Sequence, residues 1–364
     1  MRTQMSSTGA RVTRRSLIGQ LAALALVPTL ATVGTLAACS PAGRSDSAAP
    51  ASAPAPVDAP KSGTVPSASA LKTLEVATVY PYLGYLPLYA AMQRGHLKDR
   101  SLALELREFK GGGDAGKAFV GGAADVLIGS YDHVLKLREQ GMDVVATANV
   151  EATYAYALMA KKSAGLTGLE ALAGRKLGMT GPGSSTDINL RYGLKQRGID
   201  PERQVELISV GGGAPMLAAL DNDQIAAGMF LDPLLTQLLA QPDQYQIVQD
   251  FRTLEYPLLC VTLRRDWLKA NEATVRSLLA ALVRAEAELQ SDPSVAQAVA
   301  RDKFIDIPPA TLEAAVTSTL PRLSKDGRIS EKAHQTVLDQ QLFAGVVTTP
   351  IAFGQSVDLS YLPT

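Results

Sequence analysis

Glu105-Leu106-Arg107-Glu108-Phe109-Lys110-Gly111-Gly112-Gly113 returns about a hundred residues later as Glu206-Leu207-Ile208-Ser209-Val210-Gly211-Gly212-Gly213. The match extends outward on both sides. Gln93-Arg94-Gly95 precedes the first copy and Gln196-Arg197-Gly198 the second, each behind an amphipathic helical stretch. Asp132 follows the first copy and Asp232 the second. In each copy a triple glycine ends a strand and opens a helix, where small residues and free N–H groups are needed. Glycine at strand-to-helix turns is common, but shared order and spacing point to an internal duplication. Short β-rich runs alternate with helices: Leu74–Val79, then a helix over about 86–94, then Ala103–Phe109. Strand–helix–strand at that spacing predicts parallel sheets with crossovers. Two such units side by side give two α/β lobes facing across a cleft.

The runs 154–159 and 256–263 bracket the second unit and serve as crossover strands doubling as a hinge. After Arg264 the pattern is helical, with Val275, Leu278, Leu279, Leu282 and Val283 on a 3.6-residue period. These C-terminal helices are expected to pack on the first lobe.

The N-terminal segment carries a different message. Thr13-Arg14-Arg15-Ser16-Leu17-Ile18 leads into an apolar run broken by Gln20, Pro28 and Gly34, poor material for a permanent span. It ends at Leu36-Ala37-Ala38-Cys39-Ser40, similar to the lipobox of bacterial lipoproteins, where the cysteine is lipidated and becomes the mature N-terminus. The paired arginines resemble a twin-arginine export signal, although Sec signals also carry Arg-Arg. Residues 41–70 are Pro, Ala and Ser with six prolines, a tether that cannot bury enough surface to fold. The organisation expected is therefore signal peptide 1–38, lipidated Cys39 and linker 39–70, first lobe 71–157, second lobe 158–257, and a return to the first lobe with C-terminal helices over 258–364.

Composition limits the chemistry. The 364 residues hold 35 basic and 35 acidic side chains, but four arginines lie before Cys39, leaving 31 bases against 35 acids. No basic stripe for a phosphate backbone is available, which argues against nucleic-acid binding. Three histidines and two cysteines leave no zinc knuckle or disulfide framework, and no metal site or cofactor is expected. Cys260, in the apolar run Leu258–Val261, reads as an inert buried thiol.

Exported lipoprotein, tether, duplicated α/β unit and C-terminal helices together resemble a solute-binding protein of an ABC importer. More narrowly, the chain is similar to the type II periplasmic binding proteins serving uptake of nitrate, sulfonate, taurine and thiamine-pyrimidine precursors. The likeness rests on Gly122-Ala123-Ala124-Asp125-Val126-Leu127-Ile128-Gly129-Ser130, on Leu169-Glu170-Ala171-Leu172-Ala173-Gly174-Arg175-Lys176-Leu177-Gly178-Met179, and on the turn Gly183-Ser184-Ser185, within residues 72–345. The resemblance implies a two-lobed fold with a two-strand hinge, each lobe a mostly parallel sheet flanked by helices. It also implies a small-molecule solute, a partner permease with its ATPase, a lipid anchor on the outer face of the cell membrane, and a monomer. Family members often carry a histidine soon after the Gly-Ser-Ser turn, and here Thr186-Asp187-Ile188 follow.

Ligands of open α/β sheets bind beyond the C-terminal strand ends. Four loops qualify. In Thr180-Gly181-Pro182-Gly183-Ser184-Ser185-Thr186, glycines, hydroxyls and a helix N-terminus suit an anion, with plain helix capping the competing reading. Ser130 is a contact by resemblance, or a turn-stabilising serine. Tyr80 and Tyr82 are candidate cleft residues, Tyr154 joins them, and Tyr85 and Tyr89 belong to core packing. Asp232 would close the cleft from the second lobe, pairing with an ammonium or amine, or else is a solvated loop acid with no role. Together these fit a sulfonate, nitrate, taurine-like zwitterion or amino-bearing ring. The rival from another class is an enzyme on the same fold, of thiamine-pyrimidine-synthase type, but the Cys-rich motif of that group is missing and no Ser/His/Asp set, phosphate loop or metal cluster assembles. A ligand-presenting sensor lipoprotein shares every sequence feature with the importer subunit.

Overall fold

A computed structural model describes residues 71–364; the segments read above as export signal, lipidated Cys39 and linker lie outside the described residues. Among the described residues ten strands form two five-stranded sheets. The strands are β1 (Lys72–Val79), β2 (Leu102–Phe109), β3 (Val126–Gly129), β4 (Val144–Thr153), β5 (Ala157–Lys161), β6 (Lys176–Met179), β7 (Glu206–Ser209), β8 (Ala227–Phe230), β9 (Tyr245–Asp250) and β10 (Glu255–Arg264). The first sheet runs β2-β1-β3-β10-β4 and the second β7-β6-β8-β5-β9. The two orders are the same pattern. In each sheet the strand leading into the triple glycine lies at one edge, parallel to its neighbour: β2 against β1, and β7 against β6. The penultimate strand of each sheet, β10 and β5, is antiparallel to both of its neighbours. The duplication read from the glycine repeat is therefore architectural.

Helices cover both sheets. They are α1 (Leu86–Gln93), α2 (Gly112–Val120), α3 (Tyr131–Glu139), α4 (Ser185–Gln196), α5 (Ala214–Asp221), α6 (Leu234–Leu239), α7 (Arg265–Ala270), α8 (Glu272–Ser291), α9 (Pro293–Lys303), α10 (Pro309–Thr319), α11 (Glu331–Phe343) and α12 (Phe353–Ser356). Strands covered on two faces read as continuous apolar runs rather than alternating ones. Accordingly every residue of β3 and of β8 is buried. Edge strand β2 instead alternates and exposes Glu105 and Arg107, charges that discourage pairing with another sheet.

The chain passes between sheets twice, at residues 154–156 and 251–254. Tyr154 N donates to Leu254 O (3.0 Å) and Phe251 N to Tyr156 O (3.2 Å), so the two crossings are bonded to each other. Strands that straddle a boundary side by side, joined by few hydrogen bonds, form a place where the backbone can flex. Helices α8 and α9 pack on α1, and α11 packs on α3 and β10, all first-lobe elements. Two of the C-terminal helices also reach across: α10 touches α6 and α11 touches α4 of the second lobe. Among the described residues no helix is long and apolar enough to cross a membrane.

Candidate functional site

Strand ends of both sheets point at one cleft. Its inner part is a cavity of about 30 Å³ lined from the first lobe by Val79, Tyr80, Tyr82, Tyr85, Gly111, Gly112, Ser130 and His133, and from the second by Thr180, Ser184 and Ser185, with Tyr156 from the crossing. The outer part is a larger recess of about 630 Å³ in which the two triple glycines face each other, with Lys110, Asp114 and Lys117 at its rim. Glycine is required here by proximity. A Cβ on Gly212 would run into the Tyr80 ring of the opposite lobe, and one on Gly112 into the His133 imidazole. The lobes stand drawn together.

Three helices present their N-termini to the cavity. Gly111 caps α2, Ser130 caps α3 and Ser184 caps α4, and all three residues line the wall. Each terminus carries partial positive charge on unpaired N–H groups. None of the cavity-lining residues is an aspartate, glutamate, lysine or arginine. The cavity is therefore polarised towards an anion without a formal counter-charge in its wall.

The serine-rich turn divides its labour. Ser184 caps α4, its Oγ accepting from Asp187 N (3.3 Å), and also lines the cavity; Ser185 lines it too. Thr186 does not reach the cavity. It is fully buried, and its Oγ1 accepts from Thr180 N (2.9 Å) and bonds the Thr180 hydroxyl, tying the end of β6 to the start of α4. Asp187 holds the turn by accepting from Gly183 N (2.7 Å).

Among the tyrosines, Tyr80 and Tyr82 line the cavity, and so does Tyr85, which the helical spacing assigned to the core. Tyr85 does both. Its Oη donates to Ile128 O (3.0 Å) and accepts from Val79 N (3.0 Å), while the residue also lines the cavity. Tyr80 Oη is 3.0 Å from Tyr156 Oη. Tyr154 lies one layer behind Tyr156, with ring centroids 5.3 Å apart, and is outside the lining. Sequence reasoning passed over Tyr156, Thr180 and His133. His133 was readable in principle, because it sits three residues after Ser130 on the first turn of α3.

Asp232 is elsewhere. Its Oδ1 accepts from Thr236 N (3.2 Å) and Oγ1 (2.6 Å) at the start of α6, and its Oδ2 lies 3.2 Å from Arg322 Nη2. With 1% exposure and both oxygens engaged, it does not line the cavity. Arg322 also meets Glu151, Nε to Oε1 at 3.3 Å, and Glu151 Oε2 accepts from Tyr82 Oη at 2.9 Å. A buried chain thus runs from the cavity wall at Tyr82, through Glu151 on β4 and Arg322, to Asp232 in the second lobe. Burial pushes the Glu151 carboxyl up to about 6, outweighing Arg322 and Tyr82, which pull it down. Sequence spacing could not reveal this, since Arg322 is 171 residues from Glu151.

Cys260 is fully buried against Gly129 O (3.4 Å), and burial pushes its thiol up to about 12, which leaves no thiolate for chemistry. His96 is buried against Glu288, Nε2 to Oε2 at 2.7 Å, and His334 against Tyr131, Nδ1 to Oη at 2.7 Å. Among the described residues no group of three metal-ligating side chains converges.

Residues 68–302, well over half of the chain, match the NMT1-like family. The chain belongs to the NMT1-like family. A solved structure from Bordetella bronchiseptica RB50 is 31% identical, covering 81% of this chain and 96% of that one, with a TM-score of 0.72. YtlA of Bacillus subtilis is 23% identical over 299 residues, 79% of this chain and 88% of that one. The alkanesulfonate-binding protein SsuA from Xanthomonas axonopodis, solved with MOPS, shares the fold at 18% identity, covering 78% of this chain and 97% of its own, with a TM-score of 0.66. This NMT1-like chain therefore has the two-lobed fold of the periplasmic solute-binding proteins of ABC import.

Proposed function

We propose that this chain is the extracytoplasmic solute-binding subunit of an ABC importer, taking a small anionic or zwitterionic solute between its lobes and delivering it to a permease. The observation that supports it is the convergence of three helix N-termini, from both lobes, on one cavity with no charged side chain in its wall. Tyr80, Tyr82, Ser130, Ser184 and Ser185 are the contacts proposed from the sequence that line this cavity, and Tyr85, Tyr156, Thr180 and His133 join them. Sulfonates and nitrate fit the helix termini, and an aminopyrimidine would use the tyrosines.

The present cavity of about 30 Å³ has room for about two water molecules. A solute of several heavy atoms requires the lobes to part at the 154–156 and 251–254 crossings and then to close around it. Domains at 71–157, 158–257 and 258–364 would move as two bodies in this cycle. The chain would borrow its ATPase. Lipidation at Cys39 would hold it at the membrane surface through the 39–70 tether, and a Cys39→Ala variant should move to the soluble fraction.

The test is a thermal-shift screen of refolded protein against nitrate, alkanesulfonates, taurine, aminopyrimidines, flavins and aromatic acids. A solute at a hundred times its Kd adds about 2.7 kcal/mol of stability. A folded protein that no member of the panel stabilises would overturn this solute class.

A further inference from the structure

A second opening adjoins the cavity. Between α2 and α3 lies a groove of about 360 Å³, lined by Gly112, Gly116 and Lys117 of the first helix, His133 and Lys136 of the second, and Pro182 of the opposite lobe. Gly112 and His133 also line the inner cavity, so groove and cavity share a wall. A Cβ on Gly116 would meet nothing within 4 Å, which leaves the groove open along α2. His133 is only 5% exposed, and its Nδ1 stands 4.0 Å from Asp132 Oδ2, beyond hydrogen-bond reach. Among the described residues its imidazole makes no hydrogen bond, and it faces both spaces.

Lys136 follows His133 by three residues, on the same face of α3. Its side chain reaches the other lobe: a Cβ on Gly183 would run into the Lys136 ammonium. Gly183 directly precedes Ser184, which lines the cavity. The other charges around this turn are engaged. Lys117 pairs with Asp114 (3.3 Å), and Asp187 accepts from Gly183 N (2.7 Å) and Arg191 Nε (2.6 Å). Among the described residues the half-buried Lys136 ammonium forms neither an ion pair nor a hydrogen bond. A plainer account would have Lys136 offset the dipole at the C-terminal end of α3. That role needs the ammonium near the last carbonyls of the helix, and here it lies against the facing lobe. A half-buried cation held there without a counter-ion is a site for an anion.

We infer that the α2–α3 groove receives the tail of the bound solute, and that Lys136 pairs with a second anionic group, a carboxylate or sulfonate, on that tail. The inference rests on the proposed solute-binding function and narrows it to a small molecule with an anion at each end. One end meets the three helix N-termini, the chain passes His133, and the other end meets Lys136. Because Lys136 stands on the first lobe and its ammonium against the second, this pairing belongs to the closed form.

The experiment is calorimetric titration of full-length wild type, Lys136→Met and Lys136→Gln. The probes are plain alkanesulfonates and ω-carboxy alkanesulfonates of matching, graded chain length. The readout is the affinity ratio of each matched pair within one protein, in which a general loss of affinity cancels. Wild type should favour the doubly anionic member at one chain length by about 5- to 50-fold. Both variants lose the charge, and Lys136→Met keeps the apolar stem; each should bring the ratio to about one. A ratio unchanged in the variants, or a wild-type ratio near one at every length, would overturn the Lys136 assignment and leave the importer reading intact. The same gain from free acetate added to the plain sulfonate would overturn the assignment of the groove to the solute's own tail. Wild type that binds neither series would instead overturn the shared sulfonate premise, and this assignment with it.

Discussion

Gly212→Ala isolates closure from folding. Gly212 lies in the second lobe, and its added Cβ would meet the Tyr80 ring of the first only when the lobes are together. Its φ is outside the left-handed region that restricts its neighbours Gly211 and Gly213, so alanine is compatible with the backbone. The clash must be relieved by turning Tyr80, which also breaks its 3.0 Å bond to Tyr156. Overpacking of this kind costs about 1–3 kcal/mol. Because the open form does not contain the contact, the penalty falls on the closed complex alone. Solute affinity should drop by about 5- to 150-fold, while stability of the solute-free protein to urea should change by less than about 0.5 kcal/mol. Titration calorimetry with the best solute of the screen reads the first quantity. The double variant Tyr80→Ala/Gly212→Ala then decides the cause. With the ring gone, the alanine at 212 should have nothing to strike, so adding Gly212→Ala to Tyr80→Ala should leave affinity unchanged. An undiminished affinity in Gly212→Ala, or a full second loss in the double variant, would refute closure through this contact.

Other consequences follow from the buried charges. Arg322→Met strands Glu151 and Asp232 in the interior, and breaking a buried network this way should cost about 3–5 kcal/mol in urea unfolding; a loss under 1 kcal/mol would show that the guanidinium does not join the lobes. Glu151 sits at about 6 in the folded state against an ordinary value of 4.5, so the folded protein binds its proton more tightly than the unfolded chain. Its contribution is therefore fully present below about pH 4.5 and falls by about 2 kcal/mol as pH rises through 6. Glu151→Gln should remove that slope from a pH series of unfolding midpoints, and an unaltered slope would assign it to another group. Cys260 should resist thiol reagents in the folded protein and react only after unfolding, a difference that mass spectrometry of alkylated protein would reveal.

The duplication was legible because it is written in local rules. Glycines at strand-to-helix turns, apolar strands and a 3.6-residue helical period are set by backbone sterics and burial over a few residues. Together they determined two α/β lobes, the positions of both triple glycines, the first crossing and the loops that meet at the cleft; the second crossing lies at 251–254, ahead of the run 256–263 that spacing offered, because that run is a strand of the first sheet. Tyr80, Tyr82, Ser184 and Ser185 followed from those loops, and Ser130 from the family resemblance. What the sequence could not determine was which way each polar group turns. Thr186 looks like its serine neighbours but points back to Thr180, and Asp232 looks like a cleft acid but is consumed by Thr236 and Arg322. Asp132 looks like its equal by spacing and accepts no hydrogen bond among the described residues. Those outcomes depend on side chains brought from 90 and 171 residues away, and on the few degrees of packing that decide whether an oxygen finds a donor. Periodicity places a residue on a face of the fold, but only the assembled interior says whether its hydrogen bonds are already taken.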